Sequence, residues 1–131
     1  MVIDSHTLIW WLEGNELLSY HAREILQNGP SLESPLRVSA VTFWEMRMKE
    51  HRGQLHPQTP VSEWPALLAE VPWIEVVATG PDIWLLAAAL DWAHRYPADR
   101  IIAATAQIHG VPVLTKDEMF HRGDCPVKAV W

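Results

Sequence analysis

The chain is poor in cysteine and lacks long apolar runs. Its single cysteine, Cys125, excludes an internal disulfide framework and fits a protein of the reducing cytosol. There is no CxxC pair and no close pair of histidines, so we expect no structural zinc site. No apolar stretch reaches the roughly 18–20 residues of a membrane span, and the N-terminal segment lacks the basic region of a signal peptide. We therefore expect no association with a membrane.

Positive charge is also scarce. Ten Lys and Arg residues against sixteen Asp and Glu residues give a formal net charge of −6, which argues against binding nucleic acid through a broad basic surface. An enzyme that engages phosphates through a bound cation and a few local Lys or Arg residues is still allowed. With 131 residues and no repeat or low-complexity tract, the chain is expected to form one domain over residues 1–131.

Short apolar segments alternate with helical ones along the chain. The pattern predicts strands over residues 1–4, 36–39, 74–77, 113–115 and 127–130, and helices over 6–12, 20–28, 39–52, 62–70, 81–94 and 97–109. This alternation predicts an α/β fold with a mainly parallel sheet covered by helices on both faces. In such folds, ligands bind at the carboxyl ends of the strands.

Four carboxylates from distant segments are placed to meet at that edge of the sheet. Asp4 ends the first strand, Asp117 follows the strand at 113–115, Asp99 opens the last helix, and Glu45 interrupts the apolar face of an earlier helix. Carboxylate oxygens are the ligands that hard divalent cations prefer. The set therefore indicates a divalent-cation site and, through it, phosphodiester chemistry.

Glu45 carries the most information among the four. On its helix, Val41, Trp44, Glu45 and Met48 follow the i, i+3, i+4, i+7 spacing, which predicts a core-facing stripe. A carboxylate on that stripe must be paired, protonated or bound to a metal, because burying it alone is costly. The alternative to a metal site is an ion pair with an arginine such as Arg100.

The other three carboxylates also have interpretations that need no metal. Asp4 is a suitable N-cap for the helix that follows it. Asp99, in the first turn of its helix, interacts favourably with the helix dipole. Asp117 lies in a polar Thr-Lys-Asp-Glu segment typical of a solvated loop, where Glu118 is a competing carboxylate. Each interpretation stays open for its residue taken alone.

Four sequence segments, taken in order, resemble a known family. They are Val2–Thr7 (VIDSHT), Val38–Met46 (VSAVTFWEM), Pro97–Ala106 (PADRIIAATA) and Val113–Asp117 (VLTKD). Their order and spacing are similar to those of PIN-domain ribonucleases of the VapC toxin type. The resemblance spans nearly the whole chain.

The resemblance implies a PIN-like three-layer sandwich whose acidic pocket holds Mg²⁺ or Mn²⁺ and cleaves RNA endonucleolytically. Asp4, Glu45, Asp99 and Asp117 match the acidic catalytic positions of the family, with Asp4, Asp99 and Asp117 as metal ligands. It also implies a cytoplasmic homodimer that is neutralised by a cognate antitoxin. The antitoxin would dock in a hydrophobic groove lined by some of the eight tryptophans, with the acidic pocket at one end.

Three neighbouring residues bear on substrate and metal. Thr115 is a candidate for orienting a water or a phosphate, and Arg100 is a candidate phosphate contact. Relatives often carry an additional Asp just before the proline of the third segment, where this chain has Tyr96. Metal affinity or substrate fit is therefore expected to differ from that of such relatives.

Two other functions compete with the toxin-like nuclease. One is a PIN nuclease that processes DNA or RNA and is not a toxin. The other is a non-catalytic or regulatory module with an acidic pocket, such as a phosphate-accepting receiver domain. A receiver would have adjacent acids after its first strand, whereas Asp4 has no acidic neighbour.

Overall fold

A computed structural model describes residues 1–131. The strands are Val2–Ile3 (β1), Leu36–Ser39 (β2), Ile74–Val77 (β3), Val113–Leu114 (β4) and Ala129–Val130 (β5). The helices are Ser5–Leu12 (α1), Tyr20–Asn28 (α2), Val41–His51 (α3), Trp64–Ala69 (α4), Pro81–Ala89 (α5) and Pro97–His109 (α6), with 3₁₀ turns at Val61–Glu63 and Glu118–His121. None of the helices has the length and apolar character that crossing a membrane requires.

The five strands form one sheet in the order β3-β2-β1-β4-β5, and every neighbouring pair is parallel. Chain order runs outward in both directions from the β1–β4 pair, so this pair is the topological switch point where α/β sheets bind ligands. The order also differs from the 2-1-3-4-5 order of receiver-like folds. The fold is therefore not that of a receiver domain.

Neighbouring residues of each inner strand point to opposite faces of the sheet and join two separate cores. Val2 and Val113 pack in the core beneath α5 and α6. Ile3 and Leu114 pack in the core formed with α1, α2 and α4. Runs without polar residues suit strands that are buried on both faces. The predicted sandwich of helices, parallel sheet and helices is confirmed.

Helix α5 ends at Ala89, so the prediction that it runs to about His94 was wrong. The cause is the side chain of Arg100 in α6, which binds the main chain of the irregular segment between α5 and α6. Its guanidinium donates hydrogen bonds of 2.7–2.9 Å to the main-chain carbonyl oxygens of Ala87, Leu90, Trp92 and His94. These bonds replace the intrahelical acceptor pairing that continuing the helix would have provided.

Replacing Arg100 with Met should lower the free energy of unfolding by roughly 2 kcal/mol, because several carbonyl groups lose a charged donor. Chemical denaturation of the two proteins measures this difference. Arg95→Met is the matched control, since Arg95 is exposed and should leave stability nearly unchanged. Equal losses in the two variants would contradict a specific structural role for Arg100.

The buried face of α3 differs from the predicted stripe. The buried residues of this helix are Val41, Thr42, Glu45 and Met46, whereas the Trp44 side chain is 55% exposed. Helix α3 contacts both α1 and α6, so two adjacent rows of side chains are covered rather than one. Glu45 lies on the covered side, as predicted, with only 1% of its surface exposed.

Candidate active site

The four predicted carboxylates converge at the carboxyl edge of the sheet, around the switch point between β1 and β4. Asp4 directly follows β1, Asp117 lies just beyond β4, Glu45 comes from α3 and Asp99 from the first turn of α6. Asp4, Glu45 and Asp99 are buried, and Asp117 is half-buried. Carboxylates are almost never buried without compensation, so three in one place indicate a built site.

Asp4 occupies the N-cap position of α1, but its carboxylate makes no capping hydrogen bond. Its Oδ2 instead accepts a hydrogen bond from the Thr115 hydroxyl at 3.2 Å. Burial raises the pKa of the Asp4 carboxyl, and the nearby charge of Glu45 raises it further. The interpretation of Asp4 as a simple helix cap was therefore wrong, and its carboxylate belongs to the pocket.

Thr115 links two of the carboxylates. Besides donating to Asp4, its Oγ1 accepts the main-chain N–H of Asp117 at 3.0 Å, and the residue is fully buried. Asp117 is itself fixed, because its Oδ1 accepts the N–H of Met119 at 2.8 Å and caps a 3₁₀ turn. Thr115 therefore joins the Asp4 carboxylate to the main chain of Asp117 through two hydrogen bonds.

A histidine completes the cluster. The His94 ring and the carboxylates of Asp99 and Asp117 each offer a ligand atom, and these atoms lie within 4.8 Å of one another. His94 Nε2 is 2.5 Å from Asp99 Oδ2. Glu118, the competing carboxylate, is exposed and lies outside this cluster.

The electrostatic environment of Asp99 is strongly unfavourable to its ionised form. Burial is the main cause that raises the pKa of its carboxyl to about 7, and the charges of Asp4 and Glu45 raise it as well, while the hydrogen bond with His94 opposes the rise. Pockets that raise carboxyl pKa values in this way are frequent at functional sites. A bound cation would remove the repulsion among these groups.

His94 was missed by the sequence analysis, which placed it at the end of a helix over residues 81–94. It lies instead in the irregular segment between α5 and α6, where its carbonyl is held by Arg100. Its ring packs on Trp92 with centroids 4.9 Å apart, and Trp92 packs on Phe120 at 5.1 Å. The sequence analysis could have placed His94 beside Asp99 only by recognising that Arg100 binds the main chain of this segment.

Arg100 therefore contacts the main chain of the segment that carries His94. Four of its hydrogen bonds go to carbonyl oxygens, which leaves little of the guanidinium to bind the phosphate that the sequence analysis considered. The predicted alternative of a Glu45–Arg100 ion pair is also wrong, because Glu45 pairs with Lys49. Lys49 Nζ lies 2.9 Å from Glu45 Oε1.

The carboxylate of Glu45 is buried, and neither of its oxygens accepts a hydrogen bond. Oε1 has the ion pair with Lys49, whereas Oε2 has no partner, a condition that costs free energy unless a ligand or water completes it. Burial, followed by the charge of Glu45, raises the pKa of the nearby Tyr96 hydroxyl. Tyr96, at the position where relatives often carry an acid, thus has its phenol beside Glu45.

The donor set suits a divalent cation of the Mg²⁺ or Mn²⁺ type. It combines two carboxylates and one imidazole within mutual reach. Oxygen ligands favour Mg²⁺ and Mn²⁺, and an imidazole nitrogen favours the transition metal of the two. The residues present therefore fit such an ion.

Comparison with known proteins agrees with this architecture. The family model described as PIN domain matches residues 1–124. Ribonuclease VapC22 of Mycobacterium tuberculosis (strain ATCC 25618 / H37Rv) is 31% identical in an alignment covering 100% of this chain and 98% of that protein.

Among solved structures, a toxin–antitoxin complex from Klebsiella pneumoniae is similar with a TM-score of 0.67 and 21% identity, covering 99% of this chain and 95% of the other. FitAcB from Neisseria gonorrhoeae is similar with a TM-score of 0.68 and 20% identity, covering 99% and 96%. The chain belongs to the PIN-domain family.

Proposed function

We propose that this chain is a Mg²⁺- or Mn²⁺-dependent endoribonuclease and the toxin of a toxin–antitoxin pair, acting as one domain over residues 1–131. The observation that carries the proposal is the cluster of His94, Asp99 and Asp117 beside the buried carboxylates of Asp4 and Glu45. The names of its relatives, a ribonuclease and a toxin–antitoxin complex, support the same activity and context.

In this proposal, Asp99, Asp117 and His94 would hold the cation, and the buried carboxylate of Asp4 would add negative charge beside it. When bound, the ion polarises a phosphoryl oxygen and lowers the pKa of a water molecule. Thr115 keeps Asp4 and Asp117 in place through its two hydrogen bonds. Pre-positioned ligands of this kind reduce the reorganisation that the reaction requires.

Glu45 is proposed to orient the attacking water and accept its proton through the free Oε2. The water oxygen forms a bond to phosphorus, the P–O bond to the leaving ribose oxygen breaks, and that oxygen takes a proton from solvent water. Lys49 holds the other oxygen of Glu45 at 2.9 Å. This pairing holds one oxygen of the carboxylate and leaves Oε2 without a partner.

Cleavage assays with the purified protein test this function. Single-stranded RNA and DNA of matched sequence are incubated with Mg²⁺, Mn²⁺ or a chelator. Cleavage of RNA alone, abolished by chelator and restored by excess metal, is the expected result. Cleavage of DNA would favour a processing nuclease instead, and metal binding without cleavage of either polymer would favour a non-catalytic module.

We also propose a cytoplasmic homodimer that is bound by a cognate antitoxin. A surface cavity of about 320 Å³ is lined by residues that include Phe43, Trp44 and Pro65, and the Trp44 side chain is 55% exposed. This is apolar surface of the kind that partner proteins cover. Expression should arrest growth, and co-expression of the product of the adjacent gene should relieve the arrest.

Metal preference should change when His94 is replaced. His94→Asn is expected to raise the half-saturating Mn²⁺ concentration for cleavage at least about tenfold, within the range that loss of a metal-site group produces. The effect on Mg²⁺ should be smaller because Mg²⁺ prefers oxygen ligands. His109→Asn, at the other end of α6, is the matched control. An unchanged Mn²⁺ requirement would remove His94 from the ligand set.

A further inference from the structure

A basic and aromatic surface borders the acidic pocket. It consists of His6, Trp10, Lys49, Lys116 and Trp131, and is called here the Trp10 platform. The chain has ten Lys and Arg residues and a net charge of −6, and two of its three lysines belong to this surface. Positive charge at this place matters because a pocket of carboxylates repels the phosphates of a substrate.

The members of the platform contact one another in a continuous chain. Lys116 Nζ lies 5.9 Å from the centroid of the Trp10 ring. The ring is flanked by Trp131, with centroids 5.9 Å apart in an edge-on arrangement, and by His6 at 6.3 Å. Lys49 Nζ lies 2.9 Å from His6 Nε2. Two lysines and a histidine are therefore arranged around one indole.

The platform is also tied to the catalytic groups. Lys49 Nζ lies 2.9 Å from Glu45 Oε1, and Lys116 directly precedes Asp117. His6 and Lys116 are exposed, while Trp10 is partly exposed. A polymer lying across the indole would thus be next to the carboxylates that we propose to cleave it.

We propose that the Trp10 platform is a substrate subsite for single-stranded RNA, an inference that rests on the proposed ribonuclease function. An unpaired base stacks on the Trp10 ring in place of the Lys116 ammonium group that lies over it, and Lys116 and His6 contact the flanking phosphates. Aromatic rings with adjacent cations are the usual means of holding single strands. Paired bases cannot present a face to the ring, so unpaired segments are selected over duplex.

Binding is measured by fluorescence anisotropy with a labelled, unstructured RNA of about 12 nucleotides. The Asp99→Asn background prevents cleavage during the measurement. Trp10→Leu should weaken binding about tenfold, whereas Trp10→Phe, which keeps an aromatic face, should bind nearly as the parent does. A duplex of the same sequence should bind more weakly and should not respond to Trp10→Leu.

Lys116→Ala tests the phosphate contact separately from stacking. It should weaken binding severalfold at low salt and reduce the slope of log affinity against log salt by about 0.7, the value for one lost contact to a single strand. Lys128→Ala is the matched control, because it removes the same charge from an exposed residue just before β5, at the amino ends of the strands, whereas Lys116 follows the carboxyl end of β4. It should leave both affinity and slope unchanged. Thermal melting of each variant checks that the fold is intact.

The outcomes separate this inference from the proposed function. If the wild type cleaves RNA with metal but Trp10→Leu and Lys116→Ala bind RNA as Lys128→Ala does, the platform is overturned and the nuclease stands. Weakened binding of a partner protein with unchanged RNA affinity would assign the surface to a protein interface and also overturn the inference. If the wild type neither binds nor cleaves RNA, both proposals fail.

Discussion

The Asp99→Asn variant should cleave RNA at least about 1,000-fold more slowly than the wild type while remaining fully folded. The amide keeps the shape of the carboxylate but removes the charge that we propose to bind the cation, whose contribution to the transition state is several kcal/mol. Without metal at pH 8, the variant should melt at the same temperature as the wild type or above it. The reason is that a buried charge repelled by Asp4 and Glu45 has been neutralised.

Initial cleavage rates and thermal melting of the same preparations measure both parts of this prediction. Asp82→Asn is the matched control, because Asp82 also lies in the first turn of a helix that begins with proline, but is exposed. It should cleave at the wild-type rate. An active Asp99→Asn enzyme would contradict the proposed site. A variant that is inactive but markedly less stable would show that Asp99 has a structural role instead.

The metal-free protein should lose stability as the pH rises from 5 to 8, and divalent cation should restore it. The folded-state pKa of Asp99 is about 7, above its ordinary value of 3.8. The folded protein therefore binds a proton that the unfolded chain releases, and this contribution is lost as the pH rises through 7. The expected loss is roughly 3 kcal/mol, which corresponds to roughly 10 °C in melting temperature.

Melting curves in chelator at several pH values, each repeated with Mn²⁺, measure this dependence. The difference between the two curves should widen as the pH rises, because the cation binds the ionised carboxylates. Asp99→Asn should flatten the metal-free profile. A wild-type protein whose metal-free stability rises steadily from pH 5 to 8 would contradict the repulsion that we assign to Asp99, Asp4 and Glu45.

Much of the fold could be predicted because its signals are local. Ser19 caps α2 through a 2.9 Å hydrogen bond from the N–H of Ala22, and Gly110 ends α6 in the left-handed region at φ 63°. Both residues belong to types that favour those positions. The end of α5 could not be predicted in this way. It depends on Arg100, which follows that helix in the chain and competes for its carbonyl groups only after folding.

The candidate site also combines features with a signal in the sequence and features that depend on contacts made on folding. The four carboxylates could be placed because parallel strands bring their carboxyl ends together, and Glu45 was identified because a charge on a covered helix face needs a partner. Its actual partner, Lys49, and the role of His94 depend on side-chain packing that no periodicity encodes. The exposure of Trp44 has the same origin, since neighbouring helices decide which rows of α3 are covered.

The most direct test is an anomalous diffraction map from a crystal of the wild-type protein soaked in Mn²⁺. Our account predicts a peak about 2–2.5 Å from the carboxylate oxygens of Asp99 and Asp117, with His94 in the same coordination sphere. The peak should be absent from Asp99→Asn crystals treated identically. No peak in the wild-type pocket at saturating Mn²⁺, or a peak bound by other residues, would contradict the claim that these distant segments form one cation site.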